Sequence, residues 1–352
     1  MSQAAEALDI QEFETASGRQ IFQIPLNEFP GLWGYVYVVL VEDAPEGPYR
    51  VLIDAGSGFG ESNQQLEAGL QTVAGRLGRS FGLQDLTHIL ITHGHIDHFG
   101  GLSYIRPRST ARLGVHELDL RNLTNYEERL LIVSRRLAEF LLEAGVGAER
   151  RAELVELYLG IKSLYRSVRV DFTYEAAGMR LGPFEMLHVP GHCAGHVVIR
   201  LDDILFSGDH VLDQTSPHQS PEHLTLSTGL DHYLNSLKTL RAWAGEPRLT
   251  LGGHKAPIVN LGRRLDEIQN LHAQRLQRVL ELLAEPKTIL EVSRALFGEV
   301  HGYNVLLALE EAGAHVEYLY QRGLLGIENL AEIESGVGRA PIRYCCLPCQ
   351  AL

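Results

Sequence analysis

"ITHGHIDHFGG", residues 91–101, places His93, His95, Asp97 and His98 within six positions. Imidazole and carboxylate at this density are donors for divalent cations. The motif ends an apolar run, "LTHILITH" (86–93), short enough for a buried strand, so it sits where a strand gives way to a loop. On an extended segment residues i and i+2 share a face, so His93 and His95 can grip one ion. Asp97 and His98, past the turn, point elsewhere and suggest a second ion. Zinc takes about four ligands, so further donors must come from other parts of the chain.

Upstream, "WGYVYVVLVE" (33–42) and "YRVLIDAG" (49–56) are rich in β-branched and aromatic residues and read as strands, with a helix expected over 61–78. Downstream, "HVPGHCAGH" (188–196), "ILFSGDH" (204–210) and "LTLGGH" (249–254) each deliver a His or Asp after an apolar run, at a Gly-containing turn. Separate strands can thus converge on one site.

Composition narrows the function classes. A chain of 352 residues, 45% hydrophobic and 21% charged, can bury a large core and predicts one large domain with a small companion. The 44 Asp plus Glu against 31 Lys plus Arg give a formal charge of -13, which repels a phosphate backbone and disfavours nucleic acid as a partner. The start, "MSQAAEALDIQEFETASG", lacks the basic and apolar regions of a secretory signal, and no run reaches the roughly 18 apolar residues of a membrane span. A cytoplasmic location, a small-molecule substrate and a homodimer are the expectations. Three of four cysteines, Cys345, Cys346 and Cys349, crowd the tail, which is no disulfide framework. The Cys346/Cys349 spacing suits zinc; the alternative is a lightly packed tail.

The HxHxDH run, then "PGHCAGH", "FSGDH" and "GGH", in that order over roughly residues 20–260, resembles the ligand signature of the metallo-β-lactamase-fold hydrolases. Carried over position by position, the resemblance implies one metal held by His93, His95 and His192, a second by Asp97, His98 and His254, and Asp209 bridging them. It implies an α+β four-layer αβ/βα sandwich with the site at one edge of two sheets. It also implies hydrolysis: two cations roughly 3.5–4 Å apart acidify a shared water and polarise the bond to be cut. Asp97 would orient the resulting hydroxide. Zinc is the expected metal, with iron or manganese accepted by the same donors. Relatives that use di-iron for redox chemistry carry Glu where this chain has His95, which favours hydrolysis here.

Other polar residues near the motifs read differently. Asp54, closing "LIDAG", is either a turn-capping carboxylate or, as the resemblance suggests, an acceptor for a ligand histidine. His196, His88 and His188 read as structural histidines and Cys193 as a small packed residue. His210 follows Asp209 directly and is a candidate proton donor to a leaving group, or else part of the wall. His218 and His223, in the loop-like "SPHQSPEH", are candidates for pocket lining.

Helical periodicity dominates two regions. "NYEERLLIVSRRLAEFLLEAG" (125–145) and "ERRAELVELYLGIKSLYRSV" (149–168) form an apolar helical pair, part of an insertion over about 120–170, and predict a cap that shapes a substrate pocket with Phe140, Tyr158 and Tyr165; the alternative is a helical hairpin packed on itself. After residue 262 the pattern is wholly helical (263–285, 288–298, 303–328), ending in "RGLLGIE", a turn into a short strand. This resembles the winged-helix tail of the β-lactamase-like protein 2 branch, near the glyoxalase II-like enzymes. The expected division is a catalytic domain over 1–262, a winged-helix-like domain over 263–335 and a tail over 336–352. Residues 303–321 carry Glu310, Glu311 and Glu317 and no Lys or Arg, so a packing, dimer-forming or pocket-closing role is expected of them rather than duplex DNA recognition. Three functions follow in order of fit: a hydrolase of small thioesters, esters or lactones; a phosphodiesterase or ribonuclease of the same fold; and a metal-bound binding module without turnover.

Overall fold

The computed structural model describes residues 8–335 and 340–347. The chain begins with β1 (Gln11–Glu14), β2 (Gln20–Phe29), β3 (Leu32–Val41) and β4 (Tyr49–Ile53), then α1 (Ser62–Leu77) and β5 (His88–Leu90). Two short helices, α2 (Ile96–Phe99) and α3 (Leu102–Ile105), lead to β6 (Arg112–Val115), α4 (Glu117–Thr124), α5 (Tyr126–Glu143), α6 (Ala148–Lys162) and β7 (Phe172–Thr173). These seven strands make one sheet in chain order, antiparallel from β1 to β4 and parallel from β4 to β7. The second sheet holds β8 (Arg180–Leu181), β9 (Phe184–His188), β10 (Val197–Leu201), β11 (Ile204–Gly208) and, after α7 (Leu230–Ala244), β12 (Leu249–Gly252), which pairs parallel to β11. Then come α8 (Leu261–Leu282), α9 (Ile289–Phe297), α10 (Asn304–Gln321), β13 (Leu325–Ile327), α11 (Leu330–Glu334) and β14 (Tyr344–Cys346), which pairs with β13.

Alternation along the strands explains the layers. On β3, Tyr37, Val39 and Val41 join Ile199, Leu201 and Phe206 between the two sheets. Val36, Val38 and Leu40 point the other way, onto Leu66, Leu70 and Val73 of α1. Both faces of a central strand are therefore apolar, which a β-branched run satisfies. Across the second sheet, Val198 and Leu205 face α7 and α8 through Tyr233, Leu237 and Leu265. The order helix, sheet, sheet, helix is the four-layer αβ/βα sandwich. The helical pair α5–α6 and the C-terminal helices α8–α10 share one further core, built from Leu137, Phe140, Leu141, Val292, Leu309 and Val316 among others.

Two element boundaries differ from the periodicity, for local reasons. The strand expected over 86–93 stops at Leu90, because Thr92 turns its amide to Asp54 Oδ1 at 2.7 Å instead of to a neighbouring strand. The helix expected to 168 stops at Lys162, beyond which Ser167 Oγ accepts from the Tyr126 amide at 3.0 Å and ties the chain back to the start of α5.

The glycine pair closing the opening motif has a steric role. A Cβ on Gly101 would lie 2.1 Å from Ala55 O, and one on Gly100 2.3 Å from Ser57 O. The two loops instead meet backbone to backbone, through Gly101 N to Gly56 O at 2.8 Å and Ala55 N to His98 O at 2.7 Å. Gly101→Ala is expected to cost about 3 kcal/mol, the upper range for overpacking, since backbone rather than a flexible side-chain end must yield. Urea denaturation measures it, and a loss below about 1 kcal/mol would show that the loops can part.

Candidate metal centre

The parallel strands β4 and β5 of one sheet and β11 and β12 of the other direct their carboxyl ends to a common edge. Asp54 follows β4, the His93–His98 segment follows β5, Asp209 follows β11 and His254 follows β12. His192 enters from the loop between β9 and β10. The structure brings all seven residues read as ligands to this edge. His93, His95 and His192 form one group and Asp97, His98, Asp209 and His254 another, with the donor atoms of each group within 4.8 Å of one another.

Within the first group His93 Nε2 and His95 Nδ1 stand at hydrogen-bond distance, 3.1 Å, whereas the spacings around Asp97 and Asp209 fit cations better than hydrogen bonds. His98 Nε2 is 3.6 Å from Asp209 Oδ1 and 3.8 Å from Asp97 Oδ2, and His254 Nε2 is 3.5 Å from Asp97 Oδ2 and 3.4 Å from Asp209 Oδ2. Asp209 Oδ2 also lies 3.8 Å from His192 Nε2, so this carboxylate stands between the groups. Donors each about 2 Å from a shared ion are roughly 3–4 Å apart. His98 Nε2, His192 Nε2 and Asp209 Oδ1 are buried with no hydrogen-bond partner in the protein. Such atoms are costly unless something answers them, and the donor set, histidine with carboxylate, suits a divalent metal.

The opposite ring nitrogens are tied, which selects the tautomer and aims the inward nitrogen. His98 Nδ1 meets Asp54 Oδ2 at 2.8 Å, His254 Nδ1 meets Trp33 O at 2.6 Å, His192 Nδ1 meets His218 O at 2.7 Å, and His93 Nδ1 meets Thr92 Oγ1 at 3.1 Å. Asp54 thus has the acceptor role toward a candidate ligand histidine, and it also receives Thr92 N and Oγ1, 38 residues along the chain, rather than capping its own turn. Burial works against the charge on Asp97, yet His98 and His254 hold its carboxyl below the ordinary carboxylate range.

A cavity of about 1500 Å³ opens over the centre. Its floor includes His95, Asp97, His192, Asp209 and His254, and its walls come from α5, α6, α9 and α10. Tyr158 lines it as expected, and so does His218. Phe140 and Tyr165 do not. Phe140 is buried between α5 and Gly313 of α10, and Tyr165 packs beneath the motif loop against Gly100 and Tyr126. His223 is exposed, and its amide reaches Glu317.

His210 is corrected as a proton donor. Its ring is fully buried behind Asp209, against Tyr233 and His196, away from the cavity wall, and burial pulls its imidazole down to about 3. A neutral ring without access to substrate has no proton to give. His196 has the structural role read for it: its Nε2 accepts the Asp209 amide at 3.1 Å, which fixes the carboxylate's backbone. His188 meets Ala194 O, and His88 meets Thr87 Oγ1. Cys193 is buried, with its thiol on Asp119. Cys346 packs on α8 through Leu280 O, and Cys349 lies outside the described residues.

Two supports escaped the sequence reading. Asp119, fully buried, accepts the Gly94 amide at 2.8 Å and so holds the turn between His93 and His95. Glu28, also buried, accepts from the Ser57 amide and from Ser62 Oγ, and burial pushes its carboxyl up to about 7. The glutamates of α10 turn inward, as a packing or pocket-closing helix requires and a DNA reader does not. Glu310 meets His218 Nε2 at 2.9 Å, Glu311 accepts Gln219 N at 2.8 Å, and Glu317 accepts Glu222 N at 2.8 Å. Burial opposes charge on His218, yet Glu310 and Glu311 push its imidazole up to about 9, and His218 helps bring Glu311 down to about 2 against the same burial.

No described helix is long and apolar enough to cross a membrane. The family model of the metallo-beta-lactamase superfamily matches residues 31–254, from β2–β3 to the last of the seven residues. The probable metallo-hydrolase YqjP of Bacillus subtilis (strain 168) is 25% identical over 298 residues, 81% of this chain and 88% of that protein. An atrochrysone carboxyl ACP thioesterase of Aspergillus fumigatus is 28% identical over 244 residues, 69% of this chain but only 43% of that protein. Among solved structures, a metallo-beta-lactamase family protein of Thermus thermophilus superposes with a TM-score of 0.69 at 25% identity, covering 93% of this chain and 98% of that one. A beta-lactamase domain protein of Burkholderia ambifaria gives 0.70 at 22% identity, covering 98% and 96%. With the fold, the clustered donors and this match over most of its length, the chain belongs to the metallo-beta-lactamase superfamily.

Proposed function

We propose that the protein is a dinuclear metal-dependent hydrolase of acyl substrates, thioesters first, then esters and lactones. The observation that carries the reading is the set of buried, unpartnered inward atoms on His98, His192 and Asp209 beneath an open cavity. His93, His95 and His192 would hold one ion, Asp97, His98 and His254 the other, and Asp209 both; zinc suits the donors best. Two such ions supply Lewis acidity toward a carbonyl and lower the pKa of water. The protein's own part is to fix these donors through Asp54, Trp33 O, His218 O and Thr92, and to keep Asp97 ionised at the cavity floor, where it can accept a proton from water. The cap supplies apolar wall for an acyl chain through Leu130, Val133, Leu157 and Ile161. The Aspergillus relative named as a thioesterase supports the substrate order. The surplus of acidic residues weighs against a ribonuclease.

Elemental analysis of the metal-replete protein, then a panel of thioesters, lactones, phosphodiesters and single-stranded RNA, tests the reading. Two ions per chain and thioester turnover abolished by chelation are expected; one ion at saturation, or cleavage of RNA alone, would refute it. The pocket wall has its own test. Tyr158→Ala should raise KM about tenfold for a long-chain thioester and less for an acetyl one, because remote binding is lost rather than chemistry. Phe140→Leu should instead lower stability by about 1 kcal/mol and leave the ratio of the two substrates alone. Equal losses on both substrates in Tyr158→Ala would make that residue structural too.

A further inference from the structure

The cap presents two cations to the cavity that no carboxylate pairs with, although Glu153, paired with Arg150, and Glu156 of α6 line the same cavity. Arg129, in the second turn of α5, and Lys162, the last residue of α6, both line the cavity that has His95 and Asp97 in its floor. Among the described residues neither forms an ion pair. Lys162 Nζ lies 5.0 Å from the centroid of the Tyr158 ring, a cation–π contact. Arg129 Nε donates to Asn122 Oδ1 at 3.1 Å and Nη2 to Thr225 Oγ1 at 3.0 Å, both neutral acceptors, which leaves Nη1 without one.

This is not for want of acids, which outnumber Lys plus Arg by 44 to 31. The carboxylates whose fields reach Lys162, Asp97 and Glu310, are committed to the metal cluster and to His218. Arg129 feels Asp119, which is spent on Gly94 and Cys193. Burial works against the charge of both cations. Partly desolvated cations held on packed helices, with donors free, make a stronger site for an anion than a solvent-exposed pair.

We propose that Arg129 and Lys162, with Tyr158 beside Lys162, form an anion subsite in the cap that receives an oxyanion group carried by the substrate. This rests on the acyl-hydrolase reading, and it narrows the substrate to a charged acyl compound. The charge sits on the acyl chain as a carboxylate, or on the thiol carrier as a phosphate; both offer oxygens to the same donors. Apolar wall beside the subsite takes the intervening methylenes.

The test uses metal-loaded protein and three thioesters: hexanoyl and glutaryl esters of N-acetylcysteamine, and the hexanoyl ester of phosphopantetheine. In the wild type one charged ester should exceed the neutral one in kcat/KM by about tenfold, and which of the two it is identifies the source of the charge. That preference should fall about tenfold in Lys162→Met and Arg129→Met and return in part in Arg129→Lys, because a charge-assisted hydrogen bond is at stake. Calorimetric binding of glutarate and of phosphopantetheine to the same proteins separates this inference from the one beneath it. Binding weakened at least fivefold in both Met variants, with no thioester turned over, would keep the subsite and discard the acyl hydrolase. Thioester turnover with equal charged-to-neutral ratios in wild type and variants, or unaltered binding of both probes, would overturn the subsite.

Discussion

Asp209→Ala is expected to lower turnover by at least about a thousandfold, well beyond the roughly 10–100-fold cost of losing an outer partner of a metal ligand. Its Oδ2 lies 3.4 Å from His254 Nε2 and 3.8 Å from His192 Nε2, and its Oδ1 3.6 Å from His98 Nε2, so one carboxylate faces donors of both groups. Without it, two dications would face each other with one anionic ligand fewer between them, and at least one should leave. Metal content of the variant, measured after saturation and desalting, should fall below two ions per chain. Asp54→Asn is the graded companion. It keeps the shape but replaces the acceptor of His98 Nδ1–H by an amide, and about a 10–100-fold loss of metal affinity is expected. Wild-type turnover in Asp209→Ala would sink the dinuclear mechanism. Equal losses in the two variants would place the importance of Asp209 in holding the loop rather than the ions.

The donors could be recognised in the sequence because each ends an apolar run, and a run of that kind marks both a strand and the point where its loop begins. Tyr37 and Val38 show why the layers were legible as well: alternate residues of one strand supply two different cores. What failed to show was whatever depends on pairing across long sequence separations. Asp119 sits in "HELDLRN", which reads as an ordinary helix start, and nothing local says that its carboxylate holds an amide 25 residues away. His210 carries a ligand-type side chain one position past a true candidate, but successive residues at a strand end face opposite sides, and the far side here is core. The partners of the α10 glutamates were hidden for the same reason. Charge on a helix is usually solvated, and the partners of these residues lie 92 to 95 residues upstream.

Glu311→Ala is therefore expected to act on both stability and the metal centre. Its side chain is almost wholly buried; Oε1 accepts from Arg275 Nη1 at 2.8 Å and Oε2 accepts the Gln219 amide at 2.8 Å. Removing it leaves Arg275 with only Ser216 Oγ at 3.3 Å and the face of Phe297, and it orphans a buried amide. Breaking a buried, hydrogen-bonded ion pair from one side costs about 3–5 kcal/mol. Glu311→Gln, which keeps the acceptor and loses the charge, should cost less. The same carboxylate steadies residues 218–219, and His218 O is the acceptor that aims the ring of His192. A loosened segment lets that ring turn, so metal affinity should fall about 10–100-fold. Urea denaturation gives the first quantity and competition with a chromogenic chelator the second. If stability falls while metal affinity holds, the loop is positioned by Glu310 and Glu317 alone, and α10 supports the centre only by packing against it.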